Sequence, residues 1–185
     1  LSGTPTFLNA NRTINLASGG GILATSGTAF GIHTGRITGA GDLRLHKPGS
    51  TAILGFTDAA NTTDYIGDTI IRGGTVRLRT NAEVFSKEGT LTVNTGGVFD
   101  FTVTGAAQTF KGLNGGGNLV QSVGTGGIMT ITGPAGSTNT YSGTIVGTTI
   151  RLTLTAANES TQIITSANAN TGTTTVNGGT LVYAN

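Results

Sequence analysis

The chain has 185 residues, of which 32 are Gly, and only 10% are charged, against roughly 25% in an average domain. The formal net charge is +2, and the one dense basic stretch (Arg72, Arg77, Arg79) has no interleaved aromatic residues, so nucleic-acid binding has little electrostatic basis. Regularly placed Ile, Val and Leu argue against a disordered chain, and no apolar run is long enough to span a bilayer.

The elements along the chain are predicted to be short strands, because apolar and polar residues alternate with a period of two and helical periodicity is nearly absent. The stretch 99–103 is an example: Phe99, Phe101 and Val103 share one face, with Asp100 and Thr102 opposite. Each strand should therefore have a dry and a wet face. The residues predicted to point inward are Leu43, Leu45, Ile71, Val76, Leu78, Phe99, Phe101, Ile131, Leu152, Leu154, Val176 and Leu181.

A strand, a Gly-Gly turn and a second strand recur along the chain. The phrase reads T-I-I-R-G-G-T-V-R-L at 69–78 and T-T-V-N-G-G-T-L-V-Y at 174–183, with looser copies at 90–101 and 126–131. Units of this size cannot bury their own apolar face and must stack on their neighbours. The return of the unit after about 20–30 residues predicts one coil of a β-solenoid rather than a meander of hairpins. We expect one all-β domain over 1–185, with roughly seven parallel coils at about 4.8 Å spacing, Gly at positive φ in the corners, and no helical cap.

These motifs resemble the autotransporter-associated β-strand repeat of bacterial surface proteins, whose pattern is G-x-G-x-L-x-L, then N-T-Y-x-G, then T-T-I-N-G-G-T-L. The matching stretches of this chain are 39–45, 61–67, 69–76, 115–119, 129–133, 139–143 and 173–181. The resemblance covers most of the chain, although 147–170 matches only loosely. It implies a right-handed parallel β-helix on the surface of a Gram-negative-type bacterium, and it says little about activity.

Residues that could carry out chemistry are few and scattered. Two carboxylates flanking a cleft would be needed for glycoside cleavage, and the acids are Asp42, Asp58, Asp64, Asp68, Asp100, Glu83, Glu88 and Glu159. Asp64 and Asp68 are the pair nearest in sequence, and we interpret them as turn residues that cap backbone amides. His46 is predicted to be a solvated loop residue, whereas His33 could face a polar group of another coil. The sequence predicts no catalytic, cofactor-binding or metal-binding residue.

The expected function is structural. Cys is absent and Met129 is the only methionine, which suits a chain exposed to oxidants outside the cell. Because no helical capping pattern is seen at either end, the terminal coils would leave open strand edges, and copies stacked head to tail would cover them. The sequence therefore favours a non-enzymatic module of a surface fibre that forms filaments. The alternatives are an adhesin segment that binds glycan or another cell and, third, a polysaccharide-cleaving enzyme.

Overall fold

The chain folds as a stack of parallel coils. The computed structural model describes residues 6–8, 12–25, 30–46, 48–57, 64–147 and 149–184, and these contain 22 strands and no helix. Every pair of neighbouring strands is parallel, with partners about one coil apart in sequence. The prediction of an all-β solenoid of about seven coils is confirmed.

Each coil passes three sides of the rod in turn. The first side is a seven-stranded sheet of β1 (Thr6–Leu8), β4 (Phe30–His33), β7 (Ile53–Phe56), β10 (Gly74–Leu78), β12 (Gly97–Phe101), β15 (Asn118–Val120) and β18 (Ile145–Val146). The second side consists of β2 (Ile14–Leu16), β5 (Ile37–Gly39) and β8 (Asp64–Tyr65), then of β13 (Ala107–Phe110), β16 (Ile128–Ile131), β19 (Arg151–Thr155) and β21 (Thr174–Gly178). The third side consists of β3 (Gly21–Leu23), β6 (Leu43–Leu45), β9 (Thr69–Ile71), β11 (Leu91–Val93) and β14 (Leu113–Asn114), and a bridge from Gly115 to Tyr141 leads on to β17 (Thr138–Tyr141), β20 (Thr161–Ile164) and β22 (Thr180–Tyr183).

The core is built of columns of side chains, one from each coil. Val76 lies between Leu54 of the preceding coil and Phe99 of the following one, because the strands pair in register. Leu119 and Ile145 continue the same column, and all five residues are buried. The predicted inward residues lie in such columns, but the columns are not covered at the end of the described rod. Val176 is 49% exposed, because no described strand covers the far edge of β21.

An irregular segment, 79–90, replaces a strand on the second side where its two sheets meet. Its Phe85 is buried and meets the ring of Phe56 with 4.8 Å between centroids. The fully buried Gln108 supplies the hydrogen bonds that a strand would have made. Its Oε1 accepts from the Phe85 amide at 3.1 Å, and its Nε2 donates to the Ala82 carbonyl at 3.3 Å. A side chain thus replaces the backbone ladder where the ladder is broken.

The corner between the second and third sides is a stack of glycines. A Cβ on Gly67 would lie 2.5 Å from the Gly41 carbonyl oxygen, and one on Gly89 would lie 2.2 Å from that of Gly67. Side chains are excluded because successive coils touch through their backbones there. The predicted positive φ is found at other glycines, with 64° at Gly74 between the third and first sides and 76° at Gly179 between β21 and β22.

The tyrosine of the N-T-Y-x-G motif is a core residue. Tyr141 is buried, and its hydroxyl donates to the Gly117 carbonyl at 2.6 Å and accepts from the Leu119 amide at 3.0 Å. Burial raises the pKa of this hydroxyl. Tyr65 has the same position in the earlier copy of the motif, but it lies on the second side and its hydroxyl bonds that of Thr69 in its own coil. Tyr141 thus bonds the preceding coil, whereas Tyr65 bonds a residue of the next strand.

The column assignment predicts a contrast between neighbouring positions of β10. Val76→Asp places a carboxylate in the core, where an unpaired charge costs several kcal/mol. Domains of this size are stable by about 5–15 kcal/mol in total. We expect Val76→Asp to be unfolded or melted well below wild type, and Thr75→Asp, which points outward, to melt near it. Circular dichroism melts check this, and equal melting points would contradict the assignment.

Candidate functional site

Asp64 and Asp68, the two acids nearest in sequence, both bind groups of neighbouring coils. Asp68 accepts a hydrogen bond from the Thr90 amide at 2.7 Å, as predicted, and its own amide donates to Asp42 at 3.1 Å. The carboxylate of Asp64 forms an ion pair with Arg36 of the preceding coil, and its capping of a backbone amide stays a prediction. Asp58 lies outside the described residues. The carboxylates of Asp64 and Asp68 therefore both have partners in neighbouring coils, and neither is positioned as one of two free catalytic acids.

Asp100 was predicted to face solvent, but its side chain is buried. It points outward from β12 but is only 2% exposed, because neighbours from two other coils cover it. Its carboxylate accepts from Arg77 Nε at 3.0 Å on one side, and from the Ser122 amide at 3.0 Å and hydroxyl at 2.7 Å on the other. This group joins three successive coils, and its acceptor sites are largely occupied by donors of the protein itself.

The remaining acids are distributed along the surface. Glu88 pairs with Lys111 at 3.0 Å, Glu83 accepts from the Thr109 hydroxyl, and Glu159 lies in a turn with φ of 70°. Across the described ranges, no three His, Asp or Glu side chains are grouped so that they could hold a metal ion. Among the described residues, three of the four ion pairs join neighbouring coils, and the acids that lie close together have partners from the protein.

Both histidines point inward. His33 stands in the column that continues with Phe56, Leu78 and Phe101, and its ring meets that of Phe56 at 5.4 Å. For His46 the prediction of a solvated residue is wrong: it is fully buried, with φ of 62°. Its Nε2 lies 3.3 Å from the Thr75 carbonyl, to which it donates, and its Nδ1 has no partner within the described ranges. No pattern around His46 indicates this burial, because the polar and turn-forming residues Lys47 and Pro48 follow directly.

One shallow trough crosses the outer surface of the third side. Its volume is about 640 Å³, and it spans four coils. The Arg44 guanidinium in it is held by Asp42 at 2.9 Å and by the Gly19 carbonyl at 3.2 Å. Arg72 has no carboxylate partner in the described part of the chain. The lining also includes Gly20, Ile22, Ile70 and Asn94.

A second surface feature is the edge of β21 and β22 that faces away from β19 and β20, where no described strand pairs with the backbone. We call it the open edge. The amides of Thr180 and Ala184 donate back to the Ser160 and Ile164 carbonyls at 2.8 and 3.0 Å. Successive residues of a parallel ladder point their backbone groups alternately to one neighbour and to the other. The N–H and C=O groups of Leu181 and Tyr183 therefore point to the open edge.

The same alternation applies to β21. The Leu152 amide donates to the Thr173 carbonyl at 3.1 Å, so the backbone groups of Thr174 and Val176 point away from β19. These two residues continue the inward columns of Leu152 and Leu154. The open edge thus combines free backbone donors and acceptors with uncovered apolar side chains, of which Val176 is 49% and Tyr183 53% exposed.

The first side ends differently from the other two. No described strand follows β18 on this side. Instead, polar side chains of residues 165–173 form hydrogen bonds with backbone groups of the preceding coil. Asn168 accepts from the Ile145 amide at 2.9 Å, Asn170 donates to the Ile150 carbonyl at 2.6 Å, and the Ser166 hydroxyl donates to the Gly143 carbonyl. Two of the three sides are therefore open at this end of the described chain, and one is closed by side chains.

The buried His46 predicts a dependence of stability on pH. Burial lowers the pKa of His46 below its ordinary 6.5. The unfolded chain therefore binds a proton at about pH 6.5 that the folded chain binds only at lower pH, so the free energy of unfolding falls as the pH falls from 7 to 5. The slope from this group is at most about 1.4 kcal/mol per pH unit.

His46→Asn should reduce that slope, because Asn tolerates positive φ and does not titrate. Urea unfolding of both proteins between pH 7 and 5 checks this. An unchanged slope in His46→Asn would contradict the assignment.

Comparisons with known proteins add no relative to this description. No protein-family model, curated protein or solved structure matches the chain. The resemblance to the autotransporter-associated repeat therefore stays a prediction from the motifs. Among the described residues there is also no helix that could cross a membrane.

Proposed function

We propose that this chain is a non-enzymatic structural module of an extracellular fibre or stalk on a bacterial surface, and that copies of it associate end to end into a filament. The observation that carries the proposal is that every described strand pairs in parallel with a strand of a neighbouring coil, so that the edge of β21 and β22 can bond a further coil in the same way. A free strand edge with apolar side chains is a template for another strand.

The way neighbouring coils are joined supports a mechanical role. In addition to the backbone ladders, side chains connect coils on different parts of the rod. Gln162 reaches past an intervening coil to Leu113, accepting from its amide at 3.1 Å and donating to its carbonyl at 2.9 Å. The Arg77–Asp100–Ser122 group likewise joins three coils. Such contacts resist the separation of coils and require no disulfide, in agreement with a chain that has no Cys.

Electron microscopy and sedimentation of the purified chain test the proposal. We expect rods at low concentration and unbranched filaments of constant width at high concentration, since a contact between unlike ends does not close. The weight-average mass should rise continuously with concentration. A single species of monomer mass across the accessible concentration range would contradict filament formation.

We propose glycan binding as a second candidate function, which the trough on the third side favours. An acidic saccharide could lie along it, with a carboxylate on Arg72 and ring faces against Ile22 and Ile70. Arg–carboxylate pairs are often bidentate and specific in geometry.

A glycan array of acidic and neutral saccharides tests this candidate function. We expect binding to acidic members that Arg72→Ala weakens by about tenfold or more, and Arg12→Ala, which lies outside the trough, should bind as wild type. Equal binding by both variants would contradict the proposed site.

A further inference from the structure

The trough on the third side contains two arginines that are held in different ways. Arg44 and Arg72 are the charged residues of its lining. The Arg44 guanidinium donates to the Asp42 carboxylate at 2.9 Å and to the Gly19 carbonyl at 3.2 Å. Arg72 has no carboxylate partner within the described ranges. The two guanidinium groups therefore do not offer the same charge to a ligand.

The carboxylate that holds Arg44 is itself fixed from two directions. Asp42 Oδ2 accepts from Arg44, and Asp42 Oδ1 accepts from the backbone amide of Asp68 in the next coil at 3.1 Å. Asp42 cannot turn away from Arg44 without losing the bond between coils, and hydrogen bonds to a charged group are the stronger kind. The carboxylate of Asp68 accepts from the Thr90 amide and does not line the trough. The charge of Arg44 is thus offset within the protein.

A glycine keeps Arg44 close to the backbone of the preceding coil. A Cβ on Gly20 would lie 2.5 Å from Arg44 Nη1, so a side chain at this position would displace the guanidinium. The Arg44 side chain is only 32% exposed as a result. Arg44 therefore forms part of the trough floor and does not project toward a ligand.

Arg72 has a neutral neighbour in the next coil. Val93 pairs with Ile71, so Asn94 follows Arg72 along the rod axis at the coil spacing of about 4.8 Å. The Asn94 side chain is exposed, and its amide has no hydrogen-bond partner in the described part of the chain. A guanidinium beside a carboxamide suits one carboxylate flanked by hydroxyl or acetamido groups.

From these observations we infer that the trough binds an unsulfated glycan that contains uronic acid, through one carboxylate on Arg72, and that Asp42 prevents Arg44 from acting as a second anion site. The inference rests on glycan binding as proposed above. It narrows the ligand from acidic saccharides in general to carboxylated ones, and it names Asp42 as the residue that determines this specificity.

One substitution makes the second arginine available. Asp42→Asn removes the charge that offsets Arg44, and the Asn oxygen can still accept from the Asp68 amide. Asp64→Asn is the matched control, because it removes the same charge from the ion pair with Arg36, outside the trough. Asp42→Ser is a second variant, in case Asp42→Asn melts below wild type.

Binding of chondroitin and of chondroitin sulfate tests the inference, because the two chains share one backbone and differ in sulfate. We expect wild type to bind both with dissociation constants within about twofold, since its one available guanidinium takes the carboxylate. Asp42→Asn should bind chondroitin sulfate about tenfold more tightly than wild type does. Its affinity should also fall more steeply with salt, because it contacts one more charge. Asp64→Asn should bind both chains as wild type does.

The outcomes separate this inference from glycan binding itself. If wild type binds the sulfated chain much more tightly than the unsulfated one, general attraction to a basic surface explains the binding, and the inference is wrong while glycan binding stands. If Asp42→Asn and Asp42→Ser bind chondroitin sulfate no better than wild type, Asp42 does not determine the specificity. If wild type binds no acidic saccharide, glycan binding and the inference both fail.

Discussion

Backbone hydrogen bonding between coils is the constraint on which the rest of this structure depends. In a globular sheet, strands exchange hydrogen bonds across the domain, but here each described strand pairs only with strands of neighbouring coils. No coil can therefore satisfy its amides or bury its apolar side chains alone. The columns follow from this, because strands held in parallel register place each inward residue on its equivalent in the next coil.

Buried polar side chains are found where that ladder is interrupted. Gln108 bonds the irregular segment 79–90, Gln162 bonds Leu113 across an intervening coil, and Asn168 and Asn170 bond the end of the first side. Each amide side chain carries both a donor and an acceptor, so it can replace both backbone groups of a missing strand. The burial of Gln108 and Gln162 thus has a structural cause.

The sequence predicted the architecture well because the repeat itself encodes it. Val76, Leu78, Phe99 and Phe101 are buried because an alternating strand has one face to bury. The errors concern contacts between coils, which a strand pattern does not contain. Asp100 is covered by Arg77 and Ser122, residues 23 and 22 positions away, and His46 is buried under the corner of the following coil. Val176 has the pattern of a core residue and lacks only a coil above it. The open edge could be placed at the last repeat from the sequence, but which backbone groups it presents required the register.

The glycine corner has a consequence for how such a chain can vary in length. Where coils touch through their backbones, as at Gly41, Gly67 and Gly89, an added residue would force the whole stack apart. The connections from the first to the second side tolerate more, since they contain three residues at 34–36, five at 102–106 and seven at 121–127. Insertions acquired over evolution, or epitopes grafted by design, would accordingly project in a single longitudinal row along the rod, spaced at the coil repeat.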